Sequence, residues 1–226
     1  MNKKYVNIIN WVLAVVLCPF GICLCTKASF GLSMIAAPPY IIHCFVREIL
    51  PWYTQGTSEY IWQTFIIIIT CLATRRFSPK FLLSFLTGIL TGLVIDLWFL
   101  VLGGNGAYES MAVRIAAFVF GSVIISIAIA FVFRTSLPPQ AYELIVSEIA
   151  DRYGFHKGKT KLVNDIIMLV ISVLLALLTH AWSGVGVGTV IVTFANAPMI
   201  NFFGKIIDKV EKNNADAETR KLNSEK

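Results

Sequence analysis

Residues 81–102 read FLLSFLTGILTGLVIDLWFLVL, and Asp96 is the one charge among them. A stretch of about 20 predominantly apolar residues is what a helix needs to cross the hydrocarbon of a bilayer. Six runs of this kind recur, at roughly 6–25, 58–74, 81–102, 111–133, 162–180 and 184–204, with 58–74 the shortest. A soluble fold of 226 residues could not hide so much apolar surface. Only 14% of the residues are charged, against roughly 25% in soluble domains. Lipid is therefore the expected solvent and membrane lipid the first expected partner. The first run is not a cleavable signal: its apolar core is long, Cys-Pro-Phe-Gly interrupts it at 18–21, and no clean small-x-small cleavage site follows.

The formal net charge of +6 reads as topology rather than as a nucleic-acid surface. Threading six spans from a cytoplasmic N-terminus puts Lys27 and Arg47 outside and Arg114 within a span. Every other lysine and arginine of the 19 falls inside. Cationic loops favour the cytoplasmic side, so a multi-pass protein of the cell membrane with both termini cytoplasmic is expected. The tail over 207–226 lacks apolar periodicity and is expected to be a frayed helix end followed by disorder.

Two further segments are helix-like but too polar to face lipid, IAAPPYIIHCFVREILPWY at 35–53 and TSLPPQAYELIVSEIADRY at 135–153. Each carries a Pro-Pro pair, which suits a helix start because the first N–H groups are unpaired there anyway. Short helices are predicted at about 38–50 and 138–152. At an offset of 100 residues Pro38, Pro39, Val46, Glu48, Ile49 and Tyr53 match Pro138, Pro139, Val146, Glu148, Ile149 and Tyr153. Gly56 pairs with Gly158 after a two-residue shift, and Gly88 with Gly188 once the offset returns to 100, which sets Asp96 opposite Asn196. The order span, Pro-Pro segment, span, span also repeats. The expected fold is an all-α polytopic membrane protein. It has about six transmembrane helices and two short Pro-Pro-initiated helices, either amphipathic on the membrane surface or re-entrant. The first repeat covers 1–104 and the second 105–206. Three spans is an odd number, so the second repeat would be inverted, as in many secondary transporters with midplane sites.

Ionisable groups inside a span are costly and usually face a cavity or a partner. Asp96 is the sharpest case. Arg114 begins the next span after a short loop, so the two are expected to meet at similar depth, as a structural ion pair or as part of a pathway. Asp96→Asn is expected to abolish transport without preventing insertion. Glu143 shares a helix face with Ser147 and corresponds to His43 in the repeat, so a re-entrant segment would aim both inward. Lys161 and Asp165, four apart, form an expected pair at the cytoplasmic end of their helix. Gln63 and His180 read as packing or interfacial groups, and the tryptophans as interfacial belts.

No nucleophile motif, HExxH or Walker lysine is present. Cys18, Cys23, Cys25, Cys44 and Cys71 include no CxxC pair, and they read as apolar space-fillers. Neither enzymatic activity, a metal site nor a cofactor is expected.

Three stretches resemble the YczE/YyaS/YitT-like bacterial integral membrane proteins: FGLSMIAAPPYII, AYELIVSEIADRYGFHKGKTKLVNDIIMLVIS and GVGVGTVIVTFANAPMINFF. The resemblance covers most of residues 6–206 and rests on helix-packing motifs, with Gly158, Lys161 and Asp165 in the family-like pattern. Ala197 stands where the family's second glycine is usual, and Ser33-Met34 where Gly-Pro is usual. The resemblance implies a polytopic membrane protein with no settled substrate. In the third stretch Gly184, Gly186 and Gly188 read as close-packing residues, and Pro198 as a helix break beside Asn196.

The resulting expectation is a small secondary transporter or permease for a small solute, with Asp96, Arg114, Asn196, Glu143 and His43 lining its pathway. The alternative is a membrane-embedded substrate-binding or accessory subunit served by a separate energy-coupling or enzyme partner. A homodimer or an accessory membrane protein is the further partner considered, and no nucleic acid.

Overall fold

The computed structural model describes residues 3–224, which form helices and one 3-10 turn with no strand among the described residues. The helices are α1 (Lys3–Ala28), α2 (Ala37–Ile49), α3 (Gln55–Thr74), α4 (Pro79–Val101), α5 (Met111–Val132), α6 (Ala141–Tyr153), α7 (Lys157–Thr179) and α8 (Val187–Ser224), with the 3-10 turn at Trp182–Gly184. Local chemistry sets several ends. The Thr54 hydroxyl accepts the Thr57 N–H at the start of α3. Pro79 opens α4 in the first turn, where its missing N–H costs nothing. Gly154 ends α6 at φ 69°, a left-handed conformation open to glycine without steric cost.

Among the described residues five helices, α1, α4, α5, α7 and α8, are long and apolar enough to cross a membrane. The expected 58–74 span, inside α3, falls short of that criterion for a physical reason. Its inward face is polar: Gln55, Ser58, Glu59, Gln63, Thr70 and Thr74 are all buried, while Ile61, Phe65, Ile68 and Leu72 point outward. An apolar exterior around a polar interior is the arrangement lipid solvent permits and water does not.

Lipid tails are as apolar as leucine, so helices must associate by close contact. Where α1 crosses α5, a Cβ on Gly21 would lie 2.7 Å from the Gly121 carbonyl, and one on Gly121 would lie 2.9 Å from that of Gly21. The predicted close packing at 184–188 is also present. A Cβ on Gly186 would meet the Phe30 carbonyl at 2.5 Å, and the Gly188 N–H donates to the same oxygen at 2.8 Å.

The packing order is paired. α1 lies on α5; α1 on α4 and α5 on α8; α2 on α3 and α6 on α7; α2 on α7 and α6 on α3. Neither short helix lies on the surface. Ala37 and Ile41 of α2, and Ala141, Tyr142 and Leu144 of α6, are buried, whereas Ile49 and Tyr153 at the far ends are exposed. Each short helix therefore starts inside the bundle and runs outward. Its proline carbonyls are held there: Ser58 Oγ donates to Pro39 O at 2.5 Å, and Ser84 Oγ donates to Pro139 O at 2.7 Å.

Three expectations change. Pro38 and Pro39 open α2 as anticipated, but Pro138 and Pro139 precede α6, which starts at Ala141. Pro198 breaks nothing: α8 passes through it as continuous helix, as α1 does through Pro19. Finally, α8 continues to Ser224 where fraying was expected. Its polar turns dock on the bundle. Arg134 donates from Nε and Nη2 to the Asp208 carboxylate at 2.6 and 2.8 Å, and Asn10 donates to Glu211 Oε1 at 2.9 Å.

Candidate functional site

The polar face of α3 is tied to the first turn of α6. Gln63 Nε2 and Tyr142 Oη both donate to Glu59 Oε1, at 3.1 and 2.8 Å. The Ala141 N–H reaches Gln63 Oε1 at 3.4 Å. Glu59 and Gln63 are each only 1% exposed. Glu59 and Gln63 are four apart on a helix, so they share a face and stack. The positive end of the α6 helix dipole lies against this pair. Glu143, in the same first turn, keeps Oε2 sealed from solvent with no hydrogen-bond partner.

Glu59, Tyr142 and Glu143 border a small cavity of about 30 Å³, whose wall also holds Gln140, Ser33 and Asn196 together with apolar side chains such as Ile22, Ile125 and Ile129, and no basic side chain. A water needs roughly 10–15 Å³ by this measure. The cavity thus admits one or two water-sized occupants and no metabolite in this state. Its wall joins the residues just before α2 to the start of α6, so the two short helices begin at one place.

A second concavity, of about 430 Å³, opens where α4 ends. It contains His43, Arg47, Tyr53, Asp96 and Asn105. His43 Nε2 lies 3.2 Å from Asn105 Nδ2, its ring stacks on Tyr53 at 6.3 Å, and Nδ1 is sealed without a partner.

The five predicted pathway residues therefore separate. Glu143 and Asn196 share the central cavity, and His43 and Asp96 share the second concavity. Arg114 lies at neither. Asp96 and Arg114 do not pair, because α5 packs on α1 and α8 rather than on its chain neighbour α4. Asp96 instead accepts Thr54 Oγ1 at 2.7 Å and the Gly56 N–H at 2.9 Å, capping α3. Arg114 donates to the Ala28 and Ser29 carbonyls at 2.8 and 3.1 Å, closing the end of α1, and lies over the Phe30 ring. Asp96 and Asn196 do not face each other across one site: Asn196 accepts from Ser126 of α5 at 3.0 Å. Lys161 and Asp165 do pair, at 3.4 Å.

Glu59 and Tyr142 were missed, and Gln63 is a member of the central network rather than a packing group. Glu59 sits at the start of its apolar run, where a charge reads as a helix end. A signal was present. The two-residue shift that pairs Gly56 with Gly158 sets Glu59 opposite Lys161 and Gln63 opposite Asp165.

A family model described as "Family of unknown function (DUF6198)" matches residues 5–205. A protein of Bacillus subtilis (strain 168) named "Uncharacterized protein YyaS" is 23% identical over 159 residues, covering 69% of this chain and 74% of its own. No solved structure matches.

Proposed function

The chain belongs to this family of unknown function, and we propose that it is a small secondary transporter or permease for a small solute, built as two inverted three-span repeats. The observation that carries the reading is the convergence of the α2 and α6 starts on one cavity whose wall holds buried polar groups among apolar side chains. Half-helix ends meeting midway through a bundle, at the junction of two halves, are the recurrent layout of transporter sites. The paired packing supports the repeat, since each contact of the first half has a counterpart when α1–α4 are exchanged for α5–α8, apart from α3 on α4 and α4 on α6. On this reading α3 is the sixth span, and its polar inward face is one wall of the pathway. The distribution of lysine and arginine supports a cytoplasmic side for both termini. In this orientation α2 enters from outside and α6 from inside.

One observation favours a second reading. The spanning windows of α7 and α8 are only 22% and 17% buried, against 50% for α1. A partner subunit or a second copy could cover them, as in a substrate-binding component of a larger complex. To test both, the purified protein is reconstituted alone into liposomes, incubated with a metabolite mixture, and the lumen is profiled by mass spectrometry. Accumulation of a solute above protein-free liposomes is expected. Accumulation only in the presence of an ATP-hydrolysing partner would replace the transporter by the subunit reading.

A further inference from the structure

We propose that the central cavity is a proton-binding site, in which Glu59 and Glu143 hold the coupling ion of the transport cycle as a proton rather than as a metal cation. This rests on the transporter reading for its role in a cycle, though not for the binding itself.

Size comes first. About 30 Å³ excludes an organic solute and admits water or a bare ion. Charge comes next. Two carboxyl groups line the cavity with no basic side chain. A buried carboxylate costs several kcal/mol unless it is compensated; Lys161 faces Glu143 from α7, but Glu59 has neutral donors alone, so the pair lacks one positive charge when both carboxyls are ionised. Ligand chemistry then decides what supplies it. A metal ion needs oxygen lone pairs converging on it. Here the Tyr142 hydroxyl and the Gln63 amide spend their hydrogens on Glu59 Oε1, and the Gln63 carbonyl is occupied by the Ala141 N–H. Donors that point at a carboxylate repel a cation placed against it. Among the described residues no three His, Cys, Asp or Glu side chains gather as a metal site. A proton needs only one free oxygen, and Glu143 Oε2 has no partner.

The surroundings also offer a route. Tyr142 and Glu143 face Glu59 from α6, Cys18 faces both carboxyls from α1, and Lys161 and Asp165 face Glu143 from α7. Lys161 and Asp165 stand near the start of α7, on the side where α6 ends and Tyr153 Oη donates to Ala73 O at 2.7 Å. In each passage a carboxylate takes a proton from hydronium at one face, leaving water, and returns it to water at the other.

The test is infrared difference spectroscopy of the full-length protein in nanodiscs between pH 9 and pH 5, read at the carbonyl stretch of a protonated carboxyl group. Glu59→Gln, Glu143→Gln and the double variant are compared, each checked for folding by its unfolding temperature. A band is expected that appears on acidification, shifts in D₂O, weakens in each single variant, and vanishes in the double variant. Tyr142→Phe keeps both carboxyls and should raise the band's frequency, because one hydrogen bond to Glu59 is removed. This variant serves if a glutamine variant fails to fold. Absence of the band in the wild type, its persistence in the double variant, or an unchanged frequency in Tyr142→Phe would overturn the proposal. So would a carboxylate change produced by sodium at constant pH, which marks a metal-ion site. A band without solute flux in liposomes would leave the proton site standing and remove the transporter reading. Flux indifferent to an imposed pH gradient, with no band, would do the reverse.

Discussion

Asp96 was the residue most easily taken for a transported-charge partner, and its geometry instead specifies a measurable structural contribution. Its two carboxylate oxygens serve different donors: Oδ2 takes the Thr54 hydroxyl at 2.7 Å and Oδ1 the Gly56 N–H at 2.9 Å. Hydrogen bonds to a charged group contribute about 1.5–3 kcal/mol each. Asp96→Ala removes both acceptors and leaves the Gly56 N–H unpaired, so a loss of about 3–5 kcal/mol is expected. Asp96→Asn is different. Its oxygen can keep the Gly56 N–H, and its NH₂ group can donate to the Thr54 hydroxyl, which turns its own hydrogen to Thr57 Oγ1 2.7 Å away. Only the charge assistance is lost, about 1–2 kcal/mol. For a chain of this size 1 kcal/mol corresponds to roughly 2–4 °C. Asp96→Ala should therefore unfold roughly 10 °C below the wild type, and Asp96→Asn roughly 3–6 °C below. A fluorogenic thiol dye in detergent reads this directly, because Cys18, Cys23 and Cys25 are buried and free and become reactive on unfolding. Equal destabilisation by Asn and Ala would show that charge rather than the cap matters. Two variants within 1 °C of the wild type would refute the cap altogether.

Other positions give sharper contrasts still. Gly188→Ala should destabilise by about 1–3 kcal/mol, since its Cβ would meet the Phe30 backbone oxygen and the Phe118 ring, each at 2.7 Å. Gly106→Ala, with nothing within 4 Å, is the control and should lie within about 0.5 kcal/mol of the wild type in the same dye assay. Arg114→Ala should cost about 2–4 kcal/mol, because two charge-assisted bonds and a ring contact at the end of α1 are lost. Arg114→Lys should recover only part of this, since an ammonium cannot span the Ala28 and Ser29 carbonyls as the planar fork does. Tyr142→Phe should lower stability by about 1–3 kcal/mol, the cost of a buried hydrogen bond to a carboxyl group, without altering membrane insertion judged by cysteine accessibility.

Much of the architecture is written in the chain's composition and spacing. The apolar runs gave the long helices because no other element satisfies its backbone in lipid. The Pro-Pro pairs located both short helices because a proline is tolerated best in the first turn or just before it, although single prolines also sit inside α1 and α8. The Gly184, Gly186 and Gly188 series gave a close contact because the absence of side chains has no other use there. What failed was adjacency. A short loop between two spans says how far apart their ends lie, and α4 and α5 meet that limit while each packs on other helices. Asp96 and Arg114 were both correctly singled out as costly groups needing partners. Their partners are backbone atoms at helix ends and, for Asp96, the capping hydroxyl of Thr54, none of which the repeat or the loop length points to.

Glu59 shows the complementary failure. The 58–74 run stood out only as the shortest of the six, while the polar residues it carries are the mark of its role. On the proposed six-span reading, α3 lowers its own hydropathy with Ser58, Glu59, Gln63, Thr70 and Thr74, all on the buried face, a cost that points to an interior role. The equivalent stretch of α7 places Lys161 and Asp165 where α3 has Glu59 and Gln63. Both are i,i+4 pairs, and both lie against α6, one through Tyr142 and the other through the field of Lys161 on Glu143. Two polar pairs thus lie on either side of one short helix. They differ in charge, an acid and amide on α3 and a base and acid on α7. A site that must hold a positive charge in one state and release it in another benefits from that difference, because the lysine lowers the attraction on its own side. Symmetric acids on both helices would bind more tightly and release less readily.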